Sequence, residues 1–330
     1  MRCNQSIIGV LDNENIIAYN VKFENNFEVE IINLGGVITK IITPDKDNNF
    51  ENIVLGYENI NDYIENPYYY GAIIGRTSGR ICEGHIKIED KEYKLNKNYG
   101  LHQGHGGNFG FNHKIWDVQV KEKSDCVSLI LSRKSPHLEE NYPGNLDVEV
   151  TFNIYKNYKI EEVYKCKSDK TTIVNMTNHS YFNLSGNIKR PVTDCYLKLD
   201  SDKILELDET CVPTGREINI DNKSHRQIEI GNGYDHVFLL NENKKIYMED
   251  KISKRNMTIK TNQECVVIYT MNYEHEKTSY TGKVPPIRHG ICFETQRPPI
   301  GRNMCYLEES LLKKGEQYEQ KTEYIFNLVK

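Results

Sequence analysis

An all-β fold, a large antiparallel β-sandwich formed by a single domain over residues 1–330, is what this sequence predicts, on three observations. Alanine occurs only at Ala18 and Ala72, while isoleucine, tyrosine, valine and asparagine are abundant, which favours strands and turns over helices. Apolar residues recur with period two along most of the chain. No proline- or serine-rich linker, low-complexity tract or internal repeat divides it.

Taken in order, Phe27, Val29 and Ile31 alternate with Glu28 and Glu30, the pattern of a half-buried strand. Residues 57–64 form the one good helix candidate before residue 100, with Asn59 or Asn61 as its cap. Ile86 and Ile88 face Tyr93 and Leu95 across the turn-like Glu89-Asp90-Lys91. Trp116, Val118 and Val120 are followed by Val127, Leu129 and Leu131, and then by Leu146, Val148, Val150, Phe152 and Ile154. The alternation returns at Leu197 and Leu199, at Met257 and Ile259, and at Tyr324 and Phe326. Many strands without a propeller period fit packed sheets better than a small closed barrel.

Composition narrows the function. With 38% hydrophobic residues the chain can bury a sizeable core. A net charge of −5, built from interspersed acids and bases, leaves no basic stripe for phosphates, so nucleic acid is not an expected partner. Nine cysteines without a CxxC pair fit free thiols in a reducing, cytoplasmic setting. No apolar run approaches a membrane span, and the N-terminal patch is too weak for a signal peptide.

Three distant segments, 101–104, 177–184 and 289–296, carry potential proton donors and acceptors: His102, His179 and Glu294. A histidine titrates near neutrality, and a carboxylate does so once desolvated, so such a trio can take a proton at one atom and deliver one at another without metal or cofactor. His102, His105 and His113 match no zinc spacing, and the surrounding glycines predict a flexible loop with His105 and His113 facing solvent. Those glycines also lack the Gly-Lys-Ser/Thr of a nucleotide loop.

Counting by twos along one central strand, Val174, Met176 and Phe182 point one way and Asn175, Thr177, His179 and Tyr181 the other. A polar sheet face of that kind suits a polyhydroxylated ligand; the competing role for His179 is a core histidine satisfied by neighbouring hydroxyls. Glu294 follows Ile291-Cys292-Phe293, where a carboxylate must be paired, hydrogen-bonded or functional. Arg288, Arg297 and Arg302 are the candidate ion-pair partners. Asp235 either caps a turn or serves a site, and Arg76 and Arg80 are either surface charges or forks for sugar hydroxyls.

The segments 71–81, the Leu101-His102 loop with Gly110-Phe111 and Trp116, 178–184, 235–238, and 289–296 with Asn303 together resemble the successive signatures of the aldose 1-epimerase, or galactose mutarotase, family. They occur in the family's order and span most of the chain. The resemblance implies a β-sandwich with an open cleft across one sheet and interconversion of the α and β anomers of a free aldohexose such as glucose or galactose. Neither metal nor cofactor is expected, and the chain is expected to be a monomer or weak homodimer.

Carried over residue by residue, the resemblance makes Glu294 the base at the anomeric hydroxyl and His179 the acid at the ring oxygen. His102 becomes polar support near them, and Arg80, Asp235, Asn178 and Tyr181 become sugar contacts. Three departures bear on sugar positioning: Gly79 where asparagine is common, Gln103 for the first glycine after the loop histidine, and Val267 for glutamine. The spacing from Arg80 to His102 is also short. Two other readings remain: an epimerase of hexose phosphates, which needs Arg76, Arg80 and Arg302 to converge, and a non-catalytic carbohydrate-binding protein.

Overall fold

The computed structural model describes residues 2–220 and 233–329. Three antiparallel sheets dominate it. An eight-stranded sheet runs in the order Asp117–Glu122, Cys126–Ser135, Leu146–Tyr155, Lys159–Ser168, Gln317–Leu328, Arg255–Thr261, Lys245–Glu249 and Tyr196–Leu199. A six-stranded sheet has the order Tyr181–Phe182, Ile291–Gln296, Cys265–Tyr269, Asp235–Leu239, Lys203–Leu207 and Pro213–Asn219. Residues 2–52 contribute a five-stranded meander in sequence order.

The period-two pattern decides which faces meet. Leu146, Val148, Val150, Phe152 and Ile154 are buried while the residues between them reach solvent. They join one apolar core with Val21, Phe27 and Val29 of the meander and with Ile268, Ile291 and Phe293 of the six-stranded sheet. Removing one large side chain from such a core, as in Phe293→Ala, costs about 3–5 kcal/mol. The two large sheets also touch through the hydroxyls of Thr295 and Thr322, 2.7 Å apart. The expected sandwich is therefore what these strands build.

Strand Ile291–Gln296 is buried on both faces. Ile291 and Phe293 enter the inter-sheet core. Cys292 belongs instead to a second cluster with Tyr57, Tyr70 and Tyr181, and Glu294 shares its side of the strand. That outer face is the floor of the site.

Three expectations are corrected. The helix is a single turn, Asp62–Glu65, because Asn59 Oδ1 accepts from Asn61 N in a preceding turn and Tyr57 bridges to Ser279 in extended pairing. The polar strand around His179 is three two-residue ladders: Thr172–Ile173, Thr177–Asn178 and Tyr181–Phe182 pair with Leu311–Leu312, Ile73–Ile74 and the strand bearing Glu294. Finally, the glycine-rich loop is pinned. Asn98 accepts from Gly104 N and donates to the carbonyls of Gly104 and Gly107, while Glu140 accepts from the amides of Asn108 and Phe109.

Candidate active site

A cleft of about 220 Å³ opens on the outer face of the six-stranded sheet, and Glu294 and His179 stand in its floor. Glu294 reaches it because it sits two residues after Cys292 on the same face of its strand, paired across the ladder with Val267. His179 is positioned by the turn between two short ladders, where its own N–H donates to Ala72 O and its C=O accepts from Gly71 N. His179 Nε2 lies 3.4 Å from Glu294 Oε1, with both side chains nearly sealed. Glu294 Oε2 is buried without a partner among the described residues.

Burial moves the two groups in opposite directions. Desolvation first, and the Asp235 carboxylate second, push the Glu294 carboxyl up to about 8, against a smaller opposing pull from Arg80. Desolvation pulls the His179 imidazole down to about 4. Its Nδ1 is 3.6 Å from the Cys292 thiol.

Arg80, Asp235 and Tyr181 line the same cleft. Asp235 opens its strand opposite Tyr269, and Tyr269 in turn pairs with Cys292 opposite Tyr181, so one row across the sheet carries Asp235, Tyr269 and Tyr181. Asp235 is thus a cleft residue rather than a turn cap. Arg80 spreads its guanidinium over the Tyr99 ring, 5.3 Å from the centroid, and its backbone pairs with Gly104.

That pairing carries His105 into the cleft, not to the solvent that its glycine-rich segment predicts. His105, next to Gly104, packs its ring 4.8 Å from Tyr69, 5.7 Å from Tyr99 and 5.3 Å from His179. Its Nδ1 is sealed and unpartnered among the described residues, and desolvation, followed by the charge of a protonated His179, holds the ring well below the usual histidine range. Gly106 makes the approach possible: at φ +87°, a Cβ there would lie 1.9 Å from Gly75 O. The remaining wall is aromatic, from Tyr68, Tyr69, Tyr99, Tyr269, Tyr273 and His275.

Two expected site residues stand outside the cleft. His102 Nδ1 accepts from Glu83 N at 3.0 Å and its Nε2 meets Thr210 Oγ1 at 2.9 Å; that hydroxyl donates to Asp208, which also binds Arg302. With both ring nitrogens engaged, His102 braces loops. Asn178 donates to Gly71 O and accepts from Ser180 N, so its amide shapes the turn that presents His179. His113, tied to Ile64 O, is also remote.

The arginines do not converge. Arg76 is buried and donates to the carbonyls of Ser135, Pro136, Pro143 and Gly144, while Arg302 pairs with Asp208. Arg297 lies over Tyr318, and Arg288 binds Thr270 and Asn272. None of the three candidate ion-pair partners meets Glu294. Gly79 adopts φ +71° with room for a Cβ only 2.8 Å from Pro299, which accounts for glycine there. Gln103 is buried and donates to Tyr142 OH.

His105, His179 and Glu294 offer ligand atoms within 4.8 Å of one another. Two imidazoles and a carboxylate with one open side are a donor set a divalent ion can accept. The same atoms are the proton carriers, so holding an ion and moving protons are competing uses.

A family model described as aldose 1-epimerase matches residues 18–325. The chain belongs to the aldose 1-epimerase family. It is 32% identical over 320 residues to a galactose mutarotase of Sus scrofa, with 92% of each chain covered. A human galactose mutarotase is 33% identical over 316 residues, with 91% of each covered. A Streptococcus thermophilus aldose 1-epimerase is 27% identical, covering 96% of this chain and 95% of that one. The crystal structure of a galactose 1-epimerase from Lactobacillus acidophilus superposes with a TM-score of 0.88 at 24% identity, covering 100% and 99% of the two chains, and shows a common fold. In this chain, His105 precedes the glycine pair Gly106-Gly107, three residues after His102.

Proposed function

We propose that Glu294 and His179 interconvert the anomers of a free aldohexose, such as glucose or galactose, in the 220 Å³ cleft, with His105 beside them. The observation that carries this is the 3.4 Å contact between a buried imidazole and a buried carboxyl whose other oxygen has no hydrogen-bond partner among the described residues. A carboxyl held protonated and an imidazole held neutral share one proton between them. The carboxylate and imidazolium that the reaction uses hold the same number, and the two forms differ by one transfer across that gap.

Glu294 takes the proton from the C1 hydroxyl while His179 delivers one to the ring oxygen, and the C1–O bond of the ring breaks to give the aldehyde. Rotation about the bond between C1 and C2 presents the other carbonyl face. Closure with the roles reversed gives the opposite anomer. Each well-placed proton carrier contributes about 10² to 10⁴ in rate. His105, neutral and 5.3 Å from His179, takes the supporting place first expected of His102. Arg80 and Asp235 hold hydroxyls, and the aromatic wall excludes water.

The charge of the cleft supports a neutral sugar. Among the described residues, Arg80 is the one arginine or lysine lining it, against the carboxyls of Asp235 and Glu294. A phosphate dianion would meet two acids and one cation, since Arg76 and Arg302 are engaged elsewhere. Nine cysteines, all unpaired, support a reducing, cytoplasmic setting. Among the described residues, no helix is long and apolar enough to cross a membrane.

Polarimetry on fresh α-D-glucose, α-D-galactose and their 6-phosphates tests the reading. Acceleration of the free sugars, unchanged by a chelator, is expected. Spontaneous rates on every free aldose would overturn it, and acceleration of the phosphates alone would replace it with the sugar-phosphate reading.

A further inference from the structure

Among the described residues, His275 is the one imidazole in the cleft wall that the reaction leaves without a task. It follows the strand Cys265–Tyr269 in a long connection, yet it is only 6% exposed and its ring is locked on two sides. The Tyr68 ring stacks on it, with centroids 3.7 Å apart and planes 1° apart. The Tyr70 hydroxyl lies 2.5 Å from its Nδ1. Two tyrosines spent on fixing one neutral ring indicate that its free edge has something to meet.

The tautomer follows from the partners. Among the described residues, the Tyr70 hydroxyl has His275 Nδ1 as its hydrogen-bond partner and no other acceptor. It therefore donates to Nδ1, which leaves the single imidazole proton on Nε2. Nε2 has no partner among the described residues, is not among the sealed unpartnered atoms, and belongs to a ring lining the cleft. It offers one fixed N–H to whatever fills the cleft.

The cleft is also polarised. The charged groups that act on Glu294 are Asp235 and Arg80, whereas His275 lies on the Tyr181 side of His179. His275 stands beyond Tyr181, whose ring is 5.2 Å from His179 and 6.0 Å from His275. A pyranose with its C1 hydroxyl at Glu294 and its ring oxygen at His179 has C2 directed to the Asp235 and Arg80 end. The carbon on the other side of the ring oxygen is C5, and its hydroxymethyl group is directed to His275.

We propose that His275 is a specificity-determining residue that reads the C6 hydroxyl of an aldohexose through its Nε2–H. This rests on the mutarotase reading and deepens it: the preferred substrate is a hexose with a free C6 hydroxyl, ahead of pentoses and 6-deoxy sugars. Tyr68 and Tyr70 hold the donor in place before substrate arrives, which limits the ordering cost of binding.

The test compares D-galactose with 6-deoxy-D-galactose by polarimetry, using wild type, His275→Phe and His275→Gln. Wild type should show a KM about three- to tenfold lower for galactose, the worth of one neutral hydrogen bond. His275→Phe should raise the galactose KM to the 6-deoxy value, leave the 6-deoxy KM unchanged, and keep kcat within about twofold for both. His275→Gln, which retains a side-chain N–H, should recover part of the discrimination. Equal responses of the two sugars to His275→Phe, or an unchanged galactose KM, would overturn the proposal while leaving the mutarotase reading standing. Absence of acceleration by wild type would instead remove the reading on which it rests.

Discussion

His179 Nε2 and Glu294 Oε1 are 3.4 Å apart in a sealed floor, and burial drives each toward its uncharged form. A pair of this kind holds one proton over a wide pH range. Mutarotation needs that inventory: one group ready to accept, its neighbour ready to donate.

The pH profile should report it. Below about 8 the pair keeps a proton that an ordinary carboxyl would already have lost, and above about 4 it has not gained the second. Activity should therefore be level between these values, fall as pH drops through about 4 because the base is blocked, and fall as pH rises through about 8 because the donor is gone. Initial rates on α-D-galactose across this range check it. A limb near 6.5, where an unburied histidine titrates, contradicts it.

His105 and His102 should separate cleanly. His105→Asn should lower kcat by about 10² or more, with little change in thermal stability, because its ring lines the cleft and its Nδ1 has no hydrogen-bond partner among the described residues. His102→Asn should lower Tm while keeping kcat within a few-fold, because it breaks the links from Glu83 and to Thr210. Thermal melts and polarimetry on both variants give the comparison, and the opposite pattern restores His102 to the site.

Glu162 makes a stability prediction away from the cleft. Its carboxyl is sealed in the core, with Oε2 accepting from Tyr164 OH and Oε1 without a partner among the described residues, and desolvation raises it from 4.5 to about 8. Between those values the unfolded chain has released this proton and the native one keeps it, so stability falls as pH rises through that window and is level on either side. Glu162→Gln should be more stable than wild type at pH 8, by on the order of a few kcal/mol. The two should converge below pH 4.5, as followed by denaturant unfolding. Equal stability at pH 8 contradicts the burial argument.

Much of this molecule is legible before it folds, for a physical reason. Strands such as Leu146–Tyr155 announce themselves because one face is buried and the other is wet, and alternation records that difference. Glu294 stood out because a carboxylate among Ile291, Cys292 and Phe293 has to be used or satisfied. The loops are another matter. Choosing His105 over His102 depends on Asn98 and Glu140 pinning a glycine-rich segment, and neither anchor carries any periodicity. The signal available was His105-Gly106-Gly107 itself, the histidine-then-glycine order. Likewise, Tyr68, Tyr99 and His275 come from three separate connections, and only the fold brings their rings to one wall.

The central claim is that Glu294 and His179 are the two proton carriers of ring opening. Polarimetry of α-D-galactose with wild type, Glu294→Gln and His179→Asn tests it most directly. Wild type should exceed the spontaneous rate, and each variant should lose about 10² or more in kcat, both remaining folded by circular dichroism. A folded variant of either residue that retains the wild-type rate would contradict the account.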